Sequence, residues 1–424
     1  MKKYFKRLPQ ELKKVISLAE TVSLESGMPA YLVGGFVRDM LLGVKNLDMD
    51  IVVEGDGILF AQKLMPRLKA KIIVHQRFGT AALSFGKLKV DIASARKEIY
   101  EHPGDLPIVS FSSLKDDLKR RDFTINAMAV GISKGQWQLI DPFAGKNDLA
   151  SGKIRVLHDL SFQDDPTRIF RAVRFEQRYG FRIEPHTLKL LKESLNSGFL
   201  DLISAQRKRH ELVLILKEAK PFRQLKRIKE LGLMGSFCPE FRNLKIERSL
   251  FISLDKQVSW FNKQHSYRRK LDTWLLYLMA LTDKLTRGKI IKLSGRLSLH
   301  KGEEKRILSL KSFSKSNLKS LSSSRIAPAR IFSLLEPLSY ETIIFLRARH
   351  TSPRLRKHIA DFLEIYNGMR VGVSGEALHK LGLLPGPRYQ AIFSRVLDAK
   401  LNGLVSSRRE ELALIRELIS KKSA

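Results

Sequence analysis

The stretch that decides the fold is Leu32–Gly43, LVGGFVRDMLLG, which is soon followed by Asp48-Met49-Asp50. Gly34 and Gly35 stand where an apolar strand should turn into a helix. Because glycine lacks Cβ, the backbone can approach a ligand there, and the N–H groups at a helix start can hold a triphosphate. The pair fits neither the dinucleotide-binding fingerprint nor a Walker A loop. We count Arg38, in the same segment, with both glycines among the candidate nucleotide-binding residues.

The acid pair Asp48 and Asp50 follows this turn and could bind metal ions next to a bound triphosphate. On a strand, residues i and i+2 point to the same face, so the two carboxylates stand side by side while Met49 anchors the strand in the core. Carboxylates placed in this way suit Mg²⁺, and two ions about 3.5–4 Å apart can activate a 3′-hydroxyl and stabilise a leaving pyrophosphate. Asp91, in the apolar strand Leu88–Ile92, is a candidate third ligand. The alternative is an exposed strand edge that carries acids for solubility.

A second motif, Arg120-Arg121-Asp122, precedes an apolar segment that begins at Phe123. Arginine forks bind phosphates through two parallel hydrogen bonds, and a neighbouring aspartate can hold one fork or a ribose hydroxyl. In isolation such a triplet is more often a solvated charge cluster, but its position before a predicted strand favours the rim of a pocket. All three residues are therefore candidates for nucleotide binding.

A third motif begins at Asp164 and reads DDPTRIFRAVRF. Pro166 suits the first turn of a helix, with Asp164 or Asp165 as its cap. Asp165 and Arg168 are three residues apart and would share a helix face. An acceptor beside a donor matches the Watson–Crick edges of C and A and opposes those of G and U, so this pair could select bases without a template. An ordinary capped helix is the alternative. Two further arginines extend the basic stripe and are candidates for phosphate contacts: Arg171 and Arg174.

The charge balance favours a polyanionic partner. Seventy-seven Lys and Arg stand against 43 Asp and Glu, a formal net charge of +34, which RNA or DNA phosphates would relieve. Cys238 is the only cysteine, so disulfides within the chain and cysteine-based zinc sites are excluded and a reducing cytoplasm is expected. The longest apolar stretch, Trp274–Leu281, is too short to span a bilayer, and no secretory signal is visible. We expect neither a membrane association nor a stable protein partner.

The spacing of apolar residues changes along the chain. Residues 1–27 read as one amphipathic helix, and beyond about Leu160 apolar residues recur three and four apart, which predicts helices to the end. Between these regions, short apolar runs predict six strands: Tyr31–Val33, Met49–Val53, Lys71–Val74, Thr80–Phe85, Leu88–Ile92 and Ile125–Val130. The fold class is therefore α+β, a head with a small mixed or antiparallel sheet before a helical remainder. Lys311–Arg325, rich in Ser and Lys, is either a flexible RNA-facing connection or a solvated helix face, and Leu384–Pro387 predicts a turn between helices.

In this order and spacing the three motifs resemble those of the class II tRNA nucleotidyltransferases, a family that includes CCA-adding enzymes and bacterial poly(A) polymerases. The resemblance runs from about Tyr31 to Leu216 and resumes at Val373–Leu412, where SGEAL and LGLLPGP look like a tRNA-binding tail. It implies a nucleotidyltransferase head followed by an all-helical neck, body and tail. The corresponding boundaries are 1–145 for the head, 146–220 for the neck with base recognition, 221–366 for the body and 367–424 for the tail.

The resemblance also implies a reaction, in which ATP, CTP or both supply a nucleotide to the 3′ end of tRNA with release of pyrophosphate. Asp48 and Asp50 would hold two Mg²⁺ ions, and the arginine–aspartate motif at 120–122 would bind the ribose and phosphates. Asp165 and Arg168 would read the base.

One departure from the family is Asp164-Asp165, where Glu-Asp is usual. Together with Val53–Asp56, Arg77–Thr80 and Tyr100–Pro107, it looks most like the branch in which CC addition and A addition are split between two enzymes, and within it the A-adding type. The residues leave open whether A, C or both are added. A poly(A) polymerase is the alternative within the same chemistry, and the tail segment Ser374–Pro387 argues against it. A catalytically silent RNA-binding protein is the alternative from another class, and the intact acid pair argues against that.

Overall fold

A computed structural model describes residues 1–44, 46–132, 137–265 and 267–420 of the chain. The chain divides into two compact units, Met1–Glu211 and Leu212–Ala424. The fold class expected from the sequence is confirmed, because a sheet-containing N-terminal part precedes a remainder whose described residues form helices and turns. The finer division into head, neck, body and tail stays a prediction.

The described strands all lie in the first unit. They are β1 (Ala30–Val33), β2 (Asp48–Val53), β3 (Lys71–His75), β4 (Thr80–Phe85), β5 (Leu88–Ser94), β6 (Arg96–Ile99), β7 (Ile108–Phe111), β8 (Ala129–Gly131), β9 (Leu139–Ile140), β10 (Lys153–Ile154) and β11 (Arg182–Ile183). The helices that begin in this unit are α1 (Lys2–Lys6), α2 (Gln10–Ser26), α3 (Gly34–Leu42), α4 (Gly57–Leu68), α5 (Leu114–Lys119), α6 (Gly145–Ala150), α7 (Ser161–Asp164), α8 (Arg168–Tyr179), α9 (Pro185–Asn196) and α10 (Ala205–Leu216).

The second unit contains the remaining described helices. They are α11 (Pro221–Glu230), α12 (Met234–Phe237), α13 (Arg248–Gln264), α14 (Thr273–Thr282), α15 (Arg287–Arg296), α16 (Lys301–Ser312), α17 (Lys315–Leu321), α18 (Pro328–Leu335), α19 (Tyr340–Arg349), α20 (Pro353–Asp361), α21 (Gly375–Lys380), α22 (Pro387–Leu401) and α23 (Arg408–Ser420). The last three pack around a core of their own, which includes Leu378, Val396 and Ile415.

Seven strands form one sheet in the order β3-β4-β5-β2-β1-β8-β9. β2 and β5 are parallel, and the other neighbouring pairs are antiparallel. Side chains on one face, such as Met49, Leu83 and Val90, are at most 1% exposed, and α4 packs against β4 and β5. On the opposite face the side chains of β3, β4 and β5 are polar, small or exposed, and the acid pair of β2 lies among them.

Two predicted elements are wrong, and the predicted all-helical neck, residues 146–220, contains one short parallel strand pair, β10 with β11. The single helix expected over residues 1–27 is two helices, α1 and α2, because proline lacks an N–H and pushes the preceding residue into extended backbone, so no helix continues through Pro9. The strand expected over Ile125–Val130 begins only at Ala129, since Thr124–Asn126 is a 3₁₀ turn. In this turn Asn126 Nδ2 donates to Asp122 Oδ1 at 2.9 Å, and such local bonding competes with strand pairing.

The structure answers three questions that the sequence raised about the second unit. Lys311–Arg325 is not a flexible connection: it contains the end of α16 and all of α17, whose N-terminus is capped by Ser314. The turn at Leu384–Pro387 lies between α21 and α22, as predicted. The apolar stretch Trp274–Leu281 is buried within α14. In the described parts of the chain, no helix is both long and apolar enough to cross a bilayer.

Candidate active site

The acid pair lies on β2 in the arrangement that the sequence predicts. Asp48 is exposed and Asp50 is partly buried, while Met49 between them is 1% exposed. The parallel pairing with β5 sets Asp48 opposite Lys89 and Asp50 opposite Asp91. Lys89 Nζ lies 2.5 Å from Asp91 Oδ2. Three carboxylates and one ammonium group therefore share one patch of the sheet.

The surroundings of Asp50 favour a bound cation. Burial raises the pKa of Asp50 to about 6, Asp91 and Asp48 add to the increase, and Arg121 and Lys89 oppose it. A carboxyl whose ionised form is destabilised by burial and by neighbouring acids is one that a divalent cation would stabilise. Oxygen ligands of this kind fit Mg²⁺. Among the described residues, no group of three or more His, Cys, Asp and Glu side chains is placed to hold a metal ion, so Asp91 as a third ligand stays a prediction.

A cavity of about 710 Å³ opens beside the acid pair. We call it the arginine cavity, because seven of its lining residues are arginines. It is lined by Gly35, Arg38, Asp48, Asp50, Glu98, Tyr100, Arg120, Arg121, Asp122, Asn126, Asp165, Arg168, Arg171, Arg174, Phe175 and Arg178. Guanidinium groups at this density match a polyphosphate ligand.

Gly34 leaves room for the side chain of Arg121, and its predicted role in nucleotide binding stays a prediction. Its φ is +64°, and a Cβ at this position would lie 2.5 Å from Arg121 Nη1. Arg121 and Arg120 both donate to the fully buried Asp117, through Nη2 at 2.8 and 2.6 Å. Burial opposes ionisation of Asp117, yet the charges of the two arginines hold its pKa below the ordinary value. The strand-to-helix turn thus fixes Arg121, while Gly35 lines the arginine cavity.

Arg38 is 4% exposed and is held from several directions. Its Nε donates to Asp39 Oδ1 at 2.9 Å, and its Nη1 donates to Asn126 Oδ1. The guanidinium carbon lies 5.2 Å from the ring centre of Phe175 and 4.9 Å from that of Tyr179. Arg38 therefore presents a positive charge to the arginine cavity from a fixed position.

Asp122 holds the guanidinium group of Arg171 and not that of the neighbouring Arg120 or Arg121, which the sequence had suggested. It is 8% exposed and accepts from Arg171 Nε at 2.8 Å and from Asn126 Nδ2 at 2.9 Å. Burial would raise its pKa, but the Arg171 charge and these hydrogen bonds lower it to about 2. Arg174 lies further along α8, with Nη2 3.9 Å from Glu211 Oε2. Both arginines line the arginine cavity, and the phosphate contacts expected of them stay a prediction.

Asp165 and Arg168 line the same cavity but do not share a helix face. The helix expected to start at Pro166 starts at Arg168, because Asp164 ends α7 and Pro166 holds Asp165 in extended backbone. Arg168 donates to Ser161 Oγ at 2.6 Å and to the Arg120 carbonyl oxygen at 2.8 Å. Neither acid caps α8 in the way predicted, since Thr167 holds the cap position.

The carboxylate of Asp165 is held by one oxygen. Its Oδ1 accepts from Thr167 N at 2.9 Å, from Thr167 Oγ1 at 2.6 Å and from Arg207 Nη2 at 2.6 Å. Arg207 Nη1 also donates to the Gly104 carbonyl oxygen at 2.7 Å. The hydrogen bonds of the side chain thus fall on Oδ1 within the described structure, which leaves Oδ2 to accept from a ligand. Asp164 instead faces His158, with Oδ2 3.7 Å from Nε2.

Several residues of the site were missed at the level of sequence. The carboxylate of Glu98 accepts hydrogen bonds from Arg120 Nη1 and from the Tyr100 hydroxyl, each at 2.9 Å. Glu98 and Tyr100 both line the arginine cavity. Glu98 lies on β6 and Tyr100 lies in the connection between β6 and β7, a hairpin for which no strand was predicted. Asp117 could have been found, because it precedes the two arginines by three and four residues, which is helical spacing. The long-range contact of Arg207 has no comparable signal.

An acid pair beside an arginine-lined cavity is the arrangement expected of a protein that acts on a nucleoside triphosphate. Comparison with known proteins agrees with this class. The family described as Poly A polymerase head domain matches residues 30–155, and the family described as Probable RNA and SrmB- binding site of polymerase A matches residues 180–244.

Individual relatives cover almost the whole chain. An A-adding tRNA nucleotidyltransferase of Geobacter sulfurreducens is 38% identical over 96% of this chain, and one of Halalkalibacterium halodurans is 31% identical over 97%. The chain spans 47% of the length of the first and 93% of the second. The solved Thermotoga maritima CCA-adding enzyme complexed with tRNA_CCA is 32% identical, with a TM-score of 0.70, over 99% of this chain and 98% of that one. The chain therefore belongs to the tRNA nucleotidyltransferase and poly(A) polymerase family.

The contact between Gly34 and Arg121 gives a first prediction. Gly34→Ala should weaken ATP binding about tenfold or more, because the new Cβ displaces a guanidinium whose hydrogen bond to a charged group is worth about 1.5–3 kcal/mol. It should also lower the free energy of unfolding by about 1–2 kcal/mol through the left-handed backbone. Titration with ATP and thermal unfolding measure the two effects.

Gly27→Ala is the matched control, since Gly27 has φ +65° and nothing within 4 Å of its missing Cβ. It should reproduce the loss of stability and leave ATP affinity unchanged. Equal ATP affinities in the two variants would show that Arg121 does not bind the nucleotide.

Proposed function

We propose that this protein transfers AMP from ATP to the 3′ end of tRNA and so completes or repairs the CCA terminus. The observation that carries the proposal is that Asp48 and Asp50 line the same cavity as seven arginines. Seven arginines in one cavity can neutralise and bind the phosphates of a nucleoside triphosphate. The acid pair can hold the metal ions that catalyse the transfer of its nucleotide. The A-adding relatives support ATP as the nucleotide, and CTP remains a second substrate to be tested.

The reaction is a nucleotidyl transfer. The 3′-oxygen of the RNA bonds to the α-phosphorus of ATP, and the bond from that phosphorus to the α,β-bridging oxygen breaks. Pyrophosphate leaves with the electron pair, and the proton of the hydroxyl passes to water. In this chain Arg121, fixed by Asp117 and Gly34, and Arg171, fixed by Asp122, hold phosphate oxygens in place while the bond is exchanged.

Two Mg²⁺ ions complete the proposed site, held by Asp48 and Asp50, with Asp91 as a further ligand. When bound, they supply charge that stabilises the attacking and leaving oxygens. The parallel pairing of β2 with β5 sets that third carboxylate opposite Asp50, where it also pairs with Lys89 of its own strand. The raised pKa of Asp50 is the property of this structure that fits such an occupant.

Base selection is proposed for Asp165 and Arg168. Oδ2 of Asp165 accepts from the exocyclic amine of A or C, and Arg168 donates to A N1 or C N3. Arg168 is 4% exposed, and its guanidinium group is fixed by hydrogen bonds to Ser161 and to the Arg120 carbonyl oxygen. The N–H groups that these bonds do not use therefore keep a fixed orientation. We propose that the helical region beyond the head binds the tRNA backbone through its Lys and Arg side chains. This region comprises the proposed neck 146–220, body 221–366 and tail 367–424. Residues 421–424 of the tail lie outside the described residues.

The product spectrum tests the proposal. Purified protein given ATP alone should extend tRNA that ends in CC by one nucleotide and then stop. Given CTP alone, it should leave tRNA lacking CC unchanged. Denaturing gels of tRNAs that end before, within and after CC, each incubated with single nucleotides, measure this. Efficient addition of CC would contradict an activity limited to A and would indicate a full CCA-adding enzyme. Long A tails on any RNA would identify a poly(A) polymerase.

A further inference from the structure

The side chain of Phe175 lies among the arginines of the arginine cavity. It is 5% exposed and is part of the cavity lining. The guanidinium carbons of four arginines lie close to its ring centre, at 5.2 Å for Arg38, 5.6 Å for Arg171, 5.4 Å for Arg174 and 5.9 Å for Arg178. We call these residues the four arginines, and each of them lines the same cavity.

The position of the ring follows from the sequence of α8. Three of the four arginines are on this helix, and the two that precede Phe175 by four residues and follow it by three share a helix face with it. The fourth, Arg38, comes from α3, so the ring joins two elements. The ring is itself fixed by aromatic contacts. It lies nearly perpendicular to Phe123, with ring centres 5.8 Å apart, and stacks on Tyr179 at 6.1 Å.

Four positive charges near one ring repel one another. Like charges three or four residues apart destabilise a helix, and α8 carries three of the four arginines at such spacings. The carboxylate partners are separate, since Asp39 pairs with Arg38 and Asp122 pairs with Arg171. The negative face of an aromatic ring attracts guanidinium groups, and it does so more strongly where water is excluded. The buried ring of Phe175 is therefore a neutral partner that all four share.

A triphosphate binds more tightly to cations that are already in place. When a side chain is ordered only on binding, its lost conformational freedom lowers the affinity, and arginine has many conformations to lose. We propose that Phe175 is a positioning residue, whose ring holds the four arginines so that they receive the phosphates of ATP without rearrangement. It acts through the arginines and contacts no reacting atom. This inference rests on the proposed function and adds a residue to the binding of its nucleotide.

Fluorination of the ring separates its charge distribution from its shape. Phenylalanine with one, two or three fluorine atoms at position 175 keeps nearly the same size, while each fluorine withdraws electron density from the ring face and weakens its attraction for cations. The Kd for ATP should rise stepwise, to roughly tenfold for the trifluorinated ring. Titration of the full-length protein with ATP and Mg²⁺ measures it. The value of kcat at saturating ATP should stay within about twofold, because only binding is affected.

Two further variants complete the test. Phe60, buried on α4 and outside the lining of the arginine cavity, takes the same three fluorinated rings as the matched control and should leave the Kd for ATP unchanged. Phe175→Leu keeps an apolar side chain without a ring and should weaken ATP binding at least as much as the trifluorinated ring. A Kd that does not depend on the number of fluorines at Phe175, or an equal rise in the Phe60 series, would overturn the inference, because the ring would then act by packing alone.

Binding and extension of the wild type separate this inference from the proposed function. If the wild type binds ATP but does not extend tRNA ending in CC, the proposed function fails, and the fluorinated series still decides the role of Phe175. If the wild type extends this tRNA while fluorination has no effect on the Kd for ATP, the function stands and the role of Phe175 is refuted. A wild type that does not bind ATP would refute both.

Discussion

Replacement of both acids, Asp48→Asn with Asp50→Asn, is expected to lower the rate of AMP transfer by at least about a thousandfold. Stabilisation of transition-state charge by bound metal ions contributes several kcal/mol, and each 1.36 kcal/mol is a factor of ten in rate. Asparagine keeps the shape of each side chain and removes its charge. Because Asp48 is exposed and Asp50 only partly buried, the sheet should fold normally. Single-turnover incorporation of labelled AMP measures the loss.

Binding of tRNA separates loss of chemistry from loss of the substrate. The affinity of the double variant for tRNA should stay within a few-fold of the wild type, since phosphate contacts by the surplus of Lys and Arg dominate it. Asp201→Asn, at an exposed position outside the arginine cavity, is the control and should keep full activity. Substantial turnover by the double variant would remove the acid pair from the mechanism.

The acid pair could be predicted from the sequence because its signal is local. Alternation along one strand is enough to place Asp48 and Asp50 together and to bury Met49. Five of the six predicted strands are present within a residue or two for the same reason, since each combines an apolar run with nearby turn residues. Local patterns also revealed the three arginine-containing motifs, which all contribute to one cavity.

The rest of the site depends on contacts between distant segments. The parallel pairing of β2 with β5 brings Asp91 opposite Asp50, and no local pattern specifies that pairing. The hairpin that carries Glu98 has short strands with charged and exposed residues, so its apolar alternation is weak. Arg207 reaches Asp165 across 42 positions of sequence. Pro166 misled the helix prediction because α7 already ends at Asp164.

The second large effect concerns the choice of base, and Asp165→Asn is the variant that isolates it. Three donors bind Oδ1 of Asp165, two from Thr167 and one from Arg207. Two of them, Thr167 N–H and the Arg207 guanidinium, can only donate, so an asparagine must keep its carbonyl oxygen at that position. Its NH₂ group then takes the place of Oδ2, and an acceptor facing the base becomes a donor.

A donor at this position weakens the distinction between bases. The exocyclic amines of A and C lose their acceptor and meet a second donor, whereas O6 of G and O4 of U gain a partner. Arg168 still opposes the N–H of G and U, so the preference should narrow rather than reverse. A hydrogen bond to a charged group is worth about 1.5–3 kcal/mol, so discrimination against G and U should fall roughly ten- to hundredfold.

The measurement is kcat/KM for each of the four nucleoside triphosphates on tRNA that ends in CC, for the wild type and for Asp165→Asn. Asp164→Asn is the matched control, because this neighbouring carboxylate faces His158 and does not line the arginine cavity. It should leave discrimination unchanged. If Asp165→Asn instead slows all four nucleotides equally and keeps their ratios, Asp165 supports the fold of the site through Arg207 and does not read the base. A fall in the ratio with a smaller fall in the rate for ATP establishes Oδ2 as the acceptor that selects the nucleotide.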